Sequence, residues 1–82
     1  MLYEIYGTPN CTFCDKAKQL LMRYDKAYTF IDVGSNPDMM TAFLNRFPGV
    51  KKVPQIVLGD KHIGGYKELK NSLTLDQIES II

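Results

Sequence analysis

Two cysteines in the stretch PNCTFC, Cys11 and Cys14, are the residues of this 82-residue chain whose type and spacing suit redox chemistry. Three residues apart at the start of a helix, their side chains would lie on one face, about 5–6 Å from each other. That separation lets a disulfide close and open with little backbone motion. A pair at this spacing serves as a structural clip, as half of a metal site or as a working redox pair.

Two of these three interpretations find little support elsewhere in the chain. A structural zinc site needs four ligands, and the chain offers Cys11, Cys14 and its single histidine, His62. A disulfide that closes so short a loop contributes on the order of 2 kcal/mol in the chain-entropy model, less than a long-loop staple would. The sequence therefore favours a redox pair and predicts no metal site.

The expected position of the pair at a helix N-terminus separates the roles of the two cysteines. Unpaired backbone N–H groups and the positive end of the helix dipole stabilise a thiolate, which lowers the pKa of a cysteine placed there. Cys11 lies at the cap and should feel this fully, whereas Cys14 lies one turn inside the helix. We therefore expect Cys11 to attack a disulfide and Cys14 to resolve the intermediate.

Hydrophobic periodicity and turn signals predict the elements that hold the pair. Alternation and β-forming residues predict four strands, over 2–6, 28–33, 53–58 and 61–63. Helical spacing predicts one helix over 12–24 and a second that begins at a polar cap near residue 36 and ends near residue 48. A third helical segment follows the glycines at 64–65, and Thr74 with Gln77 is typical of a capping box that restarts a short final turn.

The predicted order of elements is β-α-β-α-β-β-α. A strand–helix–strand run this compact implies parallel pairing through a right-handed crossover. The turn at Gly59 and Asp60 makes the last two strands a hairpin. We therefore predict an α/β fold, with a four-stranded mixed sheet flanked by helices, in a single domain over residues 1–82.

Composition narrows the class of partner and the compartment. The net charge is +1, with ten basic residues interleaved with nine acidic ones, which is not the electrostatic footprint of a nucleic-acid binder. No apolar run approaches the roughly 20 residues that span a bilayer, and Met1 leads into LYEIYG without a basic region or cleavage site. We expect a cytoplasmic protein with no nucleic-acid or membrane partner, where a cysteine pair is more often catalytic or metal-binding than permanently bridged.

Three ordered stretches resemble the glutaredoxin family, small members of the thioredoxin-fold proteins: YGTPNCTFC at 6–14, KVPQIVL at 52–58 and HIGGYKEL at 62–69. The resemblance covers nearly the whole chain and is to small dithiol glutaredoxins of bacterial or phage type. It implies a thioredoxin-like fold in which the first stretch is the active site. The second would carry a cis-proline facing that site, and the third would help to hold glutathione.

The resemblance also implies a set of site residues. Cys11 and Cys14 would be catalytic, and the bond Val53-Pro54 would be the cis turn that presents the Val53 backbone to a peptide-like ligand. Thr8 and Pro9 stand where many glutaredoxins place a basic residue, which is a departure from the family pattern. The glutathione-binding residues implied are Thr12, Phe13, Arg46, Lys52, Val53, Pro54, Gly65, Tyr66 and Lys67.

For function, the resemblance implies a glutathione-dependent thiol–disulfide oxidoreductase, with glutathione as co-substrate. Its partners would be disulfide-containing or glutathionylated client proteins, ribonucleotide reductase among them, and we expect a monomer. Two alternatives stay open. One is a glutaredoxin-like redoxin that thioredoxin reductase reduces, and the other is a carrier in which Cys11 of two chains and two glutathiones hold a [2Fe–2S] cluster.

Overall fold

The computed structural model describes residues 2–50 and 52–81, with side chains described as far as residue 74. Its strands are β1 (Tyr3–Gly7), β2 (Tyr28–Asp32), β3 (Gln55–Leu58) and β4 (Lys61–Gly64). Its helices are α1 (Thr12–Arg23), α2 (Pro37–Arg46) and α3 (Tyr66–Ile81). The order β-α-β-α-β-β-α that the sequence predicts is confirmed.

The four strands form one mixed sheet in the order β2-β1-β3-β4. β1 pairs in parallel with β2, placing Ile5 opposite Phe30, and antiparallel with β3, placing Ile5 opposite Ile56. β3 and β4 form the predicted hairpin, with a register shift at Ile56/Val57. β1 is therefore an inner strand, and its carboxyl end leads directly into the loop that carries the cysteines.

Each face of the sheet has its own apolar core, because successive side chains of a strand point to opposite faces. One cluster packs β1 and β3 against α1 and α3, and its buried members are Tyr3, Ile5, Ala17, Leu20, Leu21, Ile56, Leu69 and Leu73. The other packs the opposite face against α2, with Tyr6, Val33, Phe43, Phe47 and Val57. Ile5 and Tyr6, which are neighbours on β1, therefore pack into opposite clusters. These contacts hold β1 between the helices, and the cysteine loop starts from the end of this strand.

The C-terminal helix differs from the sequence prediction. Thr74 was expected to cap a short new turn together with Gln77, but α3 continues without a break from Tyr66 to Ile81. The Thr74 hydroxyl donates to the carbonyl of Lys70 at 2.9 Å, a bond that threonine makes inside a helix to the residue four positions earlier. Since that hydroxyl serves its own helix, the predicted capping box is wrong.

Other differences are confined to element ends. β3 begins at Gln55 rather than at residue 53, since Pro54 has no N–H to donate to a neighbouring strand. Among the described residues, no helix combines the length and apolar character that crossing a bilayer requires.

Candidate redox site

The two cysteines form a disulfide, with their Cα atoms 5.1 Å apart. Cys11 is the N-cap of α1, with extended backbone angles, and its Sγ accepts a hydrogen bond from the Cys14 N–H at 3.1 Å. This confirms the expected helix start at the cysteine pair. The Cys14 N–H therefore points toward the Cys11 sulfur, where it favours negative charge once the disulfide is opened.

Exposure separates the two sulfurs further. Cys14 is completely buried, whereas Cys11 is only partly so. A thiol or disulfide arriving from solvent can therefore reach Cys11, while Cys14 faces inward behind it. This asymmetry agrees with the attacking and resolving roles that the sequence suggests.

The turn after β2 lies against the cysteine loop. Asp32, the last residue of β2, accepts hydrogen bonds through Oδ1 from the N–H groups of Gly34 at 2.9 Å and Ser35 at 3.1 Å. A hydrogen bond from the Ser35 side chain, helped by these two backbone bonds and opposed by partial desolvation, lowers the pKa of Asp32 below its usual 3.8. The turn brings Gly34 beside Thr8, in the loop that precedes Cys11.

A cleft of about 380 Å³ opens beside the aromatic residue that separates the cysteines. We call it the cysteine-side cleft, and its lining is Phe13, Lys52, Val53, Pro54, Gln55, Gly65, Tyr66, Lys67 and Glu68. It brings together the predicted glutathione-binding residues except Thr12 and Arg46. Residues from three separate stretches of sequence therefore line one concave surface.

The backbone at the floor of this cleft is arranged as the resemblance implied. The bond Val53-Pro54 is cis. Within the described part of the chain, neither the N–H nor the C=O of Val53 makes a backbone hydrogen bond. These two groups are left for an extended ligand to bind, in the manner of an added strand.

The rim of the cleft is aromatic and mostly basic. The rings of Phe13 and Tyr66 lie 5.9 Å apart, and Lys16 lies over the Phe13 ring at 4.8 Å from its centroid. Phe13 is 52% exposed. Because Lys52 and Lys67 also lie on this rim, the cleft favours a ligand that carries carboxylates.

Arg46 and Thr12 lie outside the cysteine-side cleft. Thr12 is the exposed first residue of α1. Arg46, the last residue of α2, donates from Nη1 to the hydroxyl of Tyr6 at 2.5 Å and lies 3.7 Å from Glu4 Oε1. It lines a different hollow, of about 630 Å³, formed by Arg46, Phe47, Pro48, Val50, Val57, Asp60 and His62.

Two residues of the cleft were missed by sequence reasoning. Glu68 accepts the N–H of Gly65 at 3.2 Å through Oε1, which caps the start of α3. Gln55 donates to the carbonyl of Lys52 at 2.9 Å and hydrogen-bonds His62 at 2.7 Å. The signal for Glu68 was its spacing, since an acid three residues after a helix start is typical of a capping box.

His62, the single histidine of the chain, lines the hollow that contains Arg46. Its ring hydrogen-bonds Gln55 and lies 4.4 Å from the ring of Phe47. In the part of the chain that the structure describes, no group of three or more His, Cys, Asp or Glu side chains is placed to hold a metal ion. The fold and the cysteine pair thus define a thioredoxin-fold protein with a CxxC disulfide at a helix N-terminus.

Comparison with known proteins narrows this class to one family. The family model for glutaredoxin matches residues 3–63. A glutaredoxin of Pseudomonas aeruginosa is 40% identical over 65 residues, which cover 79% of this chain and 76% of that protein. The hybrid peroxiredoxin hyPrx5 of Haemophilus influenzae is 39% identical over 67 residues, which cover 82% of this chain but only 27% of that protein. The chain belongs to the glutaredoxin family, as its three sequence stretches indicate.

Solved structures agree with this assignment. The solution structure of glutaredoxin from Brucella melitensis superposes with a TM-score of 0.74 at 30% identity, covering 96% of this chain and 85% of that one. The buckwheat glutaredoxin–glutathione complex superposes with a TM-score of 0.77 at 22% identity, covering 95% and 73%. The thioredoxin-like fold expected from the sequence is therefore confirmed.

Proposed function

We propose that this protein is a thiol–disulfide oxidoreductase that uses glutathione as its reductant. The observation that carries the proposal is the position of Cys11, which is partly exposed at the cap of α1, bonded to a buried Cys14. The cysteine-side cleft is lined by Phe13, which lies between the two cysteines, and by Val53, whose backbone makes no backbone hydrogen bond within the described part of the chain. Membership of the glutaredoxin family supports glutathione as the co-substrate.

In the reduced enzyme, the Cys11 thiolate would attack one sulfur of a client disulfide, and the other client sulfur would leave as a thiolate that takes up a proton. The Cys14 thiol then loses its proton and attacks the Cys11 sulfur. This second step releases the client's remaining thiol and forms the Cys11–Cys14 disulfide. Two electrons have passed from the cysteine pair to the client, which leaves as a dithiol.

Two glutathione molecules would restore the dithiol. The first attacks Cys11, which frees the Cys14 thiol and leaves glutathione bound to Cys11 as a mixed disulfide. The second attacks the sulfur of the bound glutathione, which releases oxidised glutathione and the Cys11 thiolate. Removal of glutathione from a glutathionylated client uses Cys11 alone, since the client's glutathione is transferred to Cys11 and then taken by a second glutathione.

The cleft suits the charges of glutathione, which carries two carboxylates and one ammonium group. Lys52 and Lys67 supply cations for the carboxylates, and Glu68 supplies an acid for the ammonium. The N–H and C=O of Val53 would pair with the peptide backbone of glutathione, as an added strand would. In this arrangement the sulfur of glutathione would have to reach Cys11 from the side of the cleft that Phe13 lines.

Turnover of a glutathione mixed disulfide tests the proposal, with glutathione, glutathione reductase and NADPH as the reducing system. Cys11→Ser should abolish activity, because the serine hydroxyl forms no thiolate. Cys14→Ser should keep deglutathionylation but lose reduction of a protein disulfide. Equal loss of both activities in the two variants would contradict the roles given to the cysteines.

Two further measurements test the alternatives, which are thioredoxin reductase as the reductant and a [2Fe–2S] carrier as the function. Replacing the glutathione system by thioredoxin reductase and NADPH would sustain turnover only if the protein is a redoxin of that kind. Visible absorption of anaerobically purified protein tests the [2Fe–2S] carrier, and a colourless protein would exclude it. We propose disulfide-containing or glutathionylated proteins as its clients, with ribonucleotide reductase among them.

A further inference from the structure

Gly7 lies directly behind the buried sulfur of the cysteine pair. It is the last residue of β1 and is itself buried. A Cβ atom placed on Gly7 would overlap Cys14 Sγ and would lie 3.0 Å from Phe30 Cε1 and 3.3 Å from Cys14 Cβ. The sulfur of Cys14 therefore occupies the place that a side chain at position 7 would take.

The backbone at position 7 has little freedom to move away from this sulfur. Gly7 pairs with Asp32 in the parallel ladder between β1 and β2, and its carbonyl accepts from the Val33 N–H at 2.9 Å. Phe30 closes the other side, where it packs against the first core cluster and lies under Lys18. A methyl group at position 7 would therefore displace the Cys14 side chain rather than the strand.

Backbone strain does not explain a glycine here. The glycines with positive φ are Gly49, Gly59 and Gly64 within the described residues, and Gly7 is not among them. Alanine would adopt the backbone conformation of an ordinary strand residue at this position. The need for glycine comes from the space that Cys14 fills.

A methyl group at position 7 would destabilise the disulfide and the dithiol to different extents. In the disulfide, Cys14 Sγ is tied to Cys11 and its position is fixed. In the dithiol, the Cys14 side chain is free to turn about its Cα–Cβ bond to another staggered rotamer. A methyl group at position 7 would therefore destabilise the disulfide more than the dithiol.

We propose that Gly7 is a positioning residue that sets the disulfide–dithiol equilibrium of the Cys11–Cys14 pair by leaving room for the Cys14 sulfur. The reaction concerned is the exchange of the protein disulfide and a reduced dithiol reagent for the protein dithiol and the oxidised reagent. Two electrons and two protons pass to the protein in this exchange. Only the consequence for client reduction rests on the proposed function, because the equilibrium itself needs no glutathione.

The test compares Gly7→Ala with the wild type and with Gly34→Ala in dithiothreitol redox buffers, where alkylation and mass spectrometry report the fraction of oxidised protein. Gly34 is the control, because the three atoms nearest to a Cβ atom there belong to Thr8 and Asp32, with Thr8 Cγ2 at 2.8 Å, and none belongs to Cys14. The Gly7→Ala disulfide should be about tenfold easier to reduce, which corresponds to a reduction potential about 30 mV less negative. Gly34→Ala should stay within about twofold of the wild type.

The same substitution in a Cys14→Ala protein separates crowding against the Cys14 sulfur from a general requirement of the fold for glycine at position 7. The drop in melting temperature caused by Gly7→Ala should be smaller in a Cys14→Ala protein than in the wild type, because the crowded sulfur is gone. If Gly7→Ala alone does not fold, the double variant should fold. An unchanged equilibrium in Gly7→Ala, or an equal loss of stability in both backgrounds, would overturn the proposal.

Client reduction gives the functional readout. Gly7→Ala should slow reduction of a protein disulfide several-fold, since Cys14 must close the ring, and should leave deglutathionylation through Cys11 within about twofold. If the wild type does not use glutathione at all, the proposed function fails while the dithiothreitol equilibrium still decides the role of Gly7. A parallel loss of both activities without a change in that equilibrium would contradict the role given to Gly7.

Discussion

Arg46 should stabilise the sheet face beneath α2 and contribute little to glutathione binding, although its sequence position suggests a ligand contact. Its guanidinium donates to the Tyr6 hydroxyl at 2.5 Å and lies 3.7 Å from Glu4 Oε1. It also lies 5.1 Å from the ring centroid of Phe47. Arg46→Ala removes all three contacts and leaves the cysteine-side cleft untouched.

The size of the effect follows from these contacts. A hydrogen bond to a charged group is worth about 1.5–3 kcal/mol, which we discount to about 1 kcal/mol because the Arg46 side chain is 41% exposed. The ion pair to Glu4 adds about 0.5 kcal/mol, and the contact with the ring of Phe47 adds about as much. We therefore expect Arg46→Ala to lower the free energy of unfolding by about 2 kcal/mol.

Urea denaturation followed by circular dichroism measures this loss, and a cycle with Tyr6→Phe should return a coupling of about 1 kcal/mol for the hydrogen bond. Arg23→Ala is the matched control, because Arg23 also ends a helix and has no hydrogen bond or ion pair among the described residues. The KM for glutathione should stay within twofold in Arg46→Ala. A KM raised fivefold or more at unchanged stability would refute this placement of Arg46.

Three further predictions concern the cleft, a helix start and the turn beside the cysteine loop. Lys67→Ala should raise the KM for glutathione about three- to fivefold, as losing an exposed ion pair of up to about 1 kcal/mol implies, and the difference should shrink with added salt; an equal effect at all salt concentrations would argue against a charge contact. Asn36→Ala removes the cap that accepts from the N–H groups of Asp38 and Met39 and should cost about 1 kcal/mol in urea denaturation, whereas Asn45→Ala, on the exposed surface of α2, should cost little. The pKa of Asp32 is lower in the folded protein than its usual 3.8, so the bonded carboxylate stabilises the fold above that pH and loses this contribution as the pH falls below it. In acid denaturation, Asp32→Asn should therefore lose less stability over this pH range than the wild type. An unchanged acid-denaturation profile would contradict a stabilising role for the hydrogen bonds of Asp32.

The sequence predicts the order of the elements because the signals for it are local. Alternation of apolar and polar residues identifies the strands. Pro48 and Gly49, which do not continue a helix, end α2 near the position expected. The start of α1 at the cysteines is equally local, since a cap residue and the following apolar spacing lie within a few positions. Each of these signals lies within a few residues of the feature that it predicts.

The prediction fails where two local signals compete. Thr74 has the chemistry of a cap, and it also has the chemistry of a helix-interior residue that bonds the carbonyl four positions back. With no proline or glycine between Tyr66 and Ile81 to end the helix, the interior bond is the one formed. Glu68 has the spacing of a capping box, but the residue before the helix is Gly65, which lacks the serine or threonine side chain that completes that motif.

The structure brings most of the predicted glutathione-binding residues into one cleft, and leaves Thr12 and Arg46 outside it. Val53, Gly65 and Tyr66 meet in one cleft because the family motifs fix the loops that carry them. Arg46 is implied as a glutathione-binding residue by the family resemblance, but the structure places it outside this cleft. Where its long side chain lies depends on a partner forty residues away, Tyr6, which no local pattern reveals.

The central claim is that Cys11 carries glutathione while Cys14 only resolves it, and trapping the mixed disulfide tests this most directly. Cys14→Ser and Cys11→Ser are each reduced, freed of reductant and treated with a glutathione mixed disulfide, and intact mass and peptide mapping then locate the adduct. We predict rapid, near-complete glutathionylation of Cys11 in Cys14→Ser and almost none of the buried Cys14 in Cys11→Ser. Modification of Cys14 as fast as that of Cys11 would contradict the account.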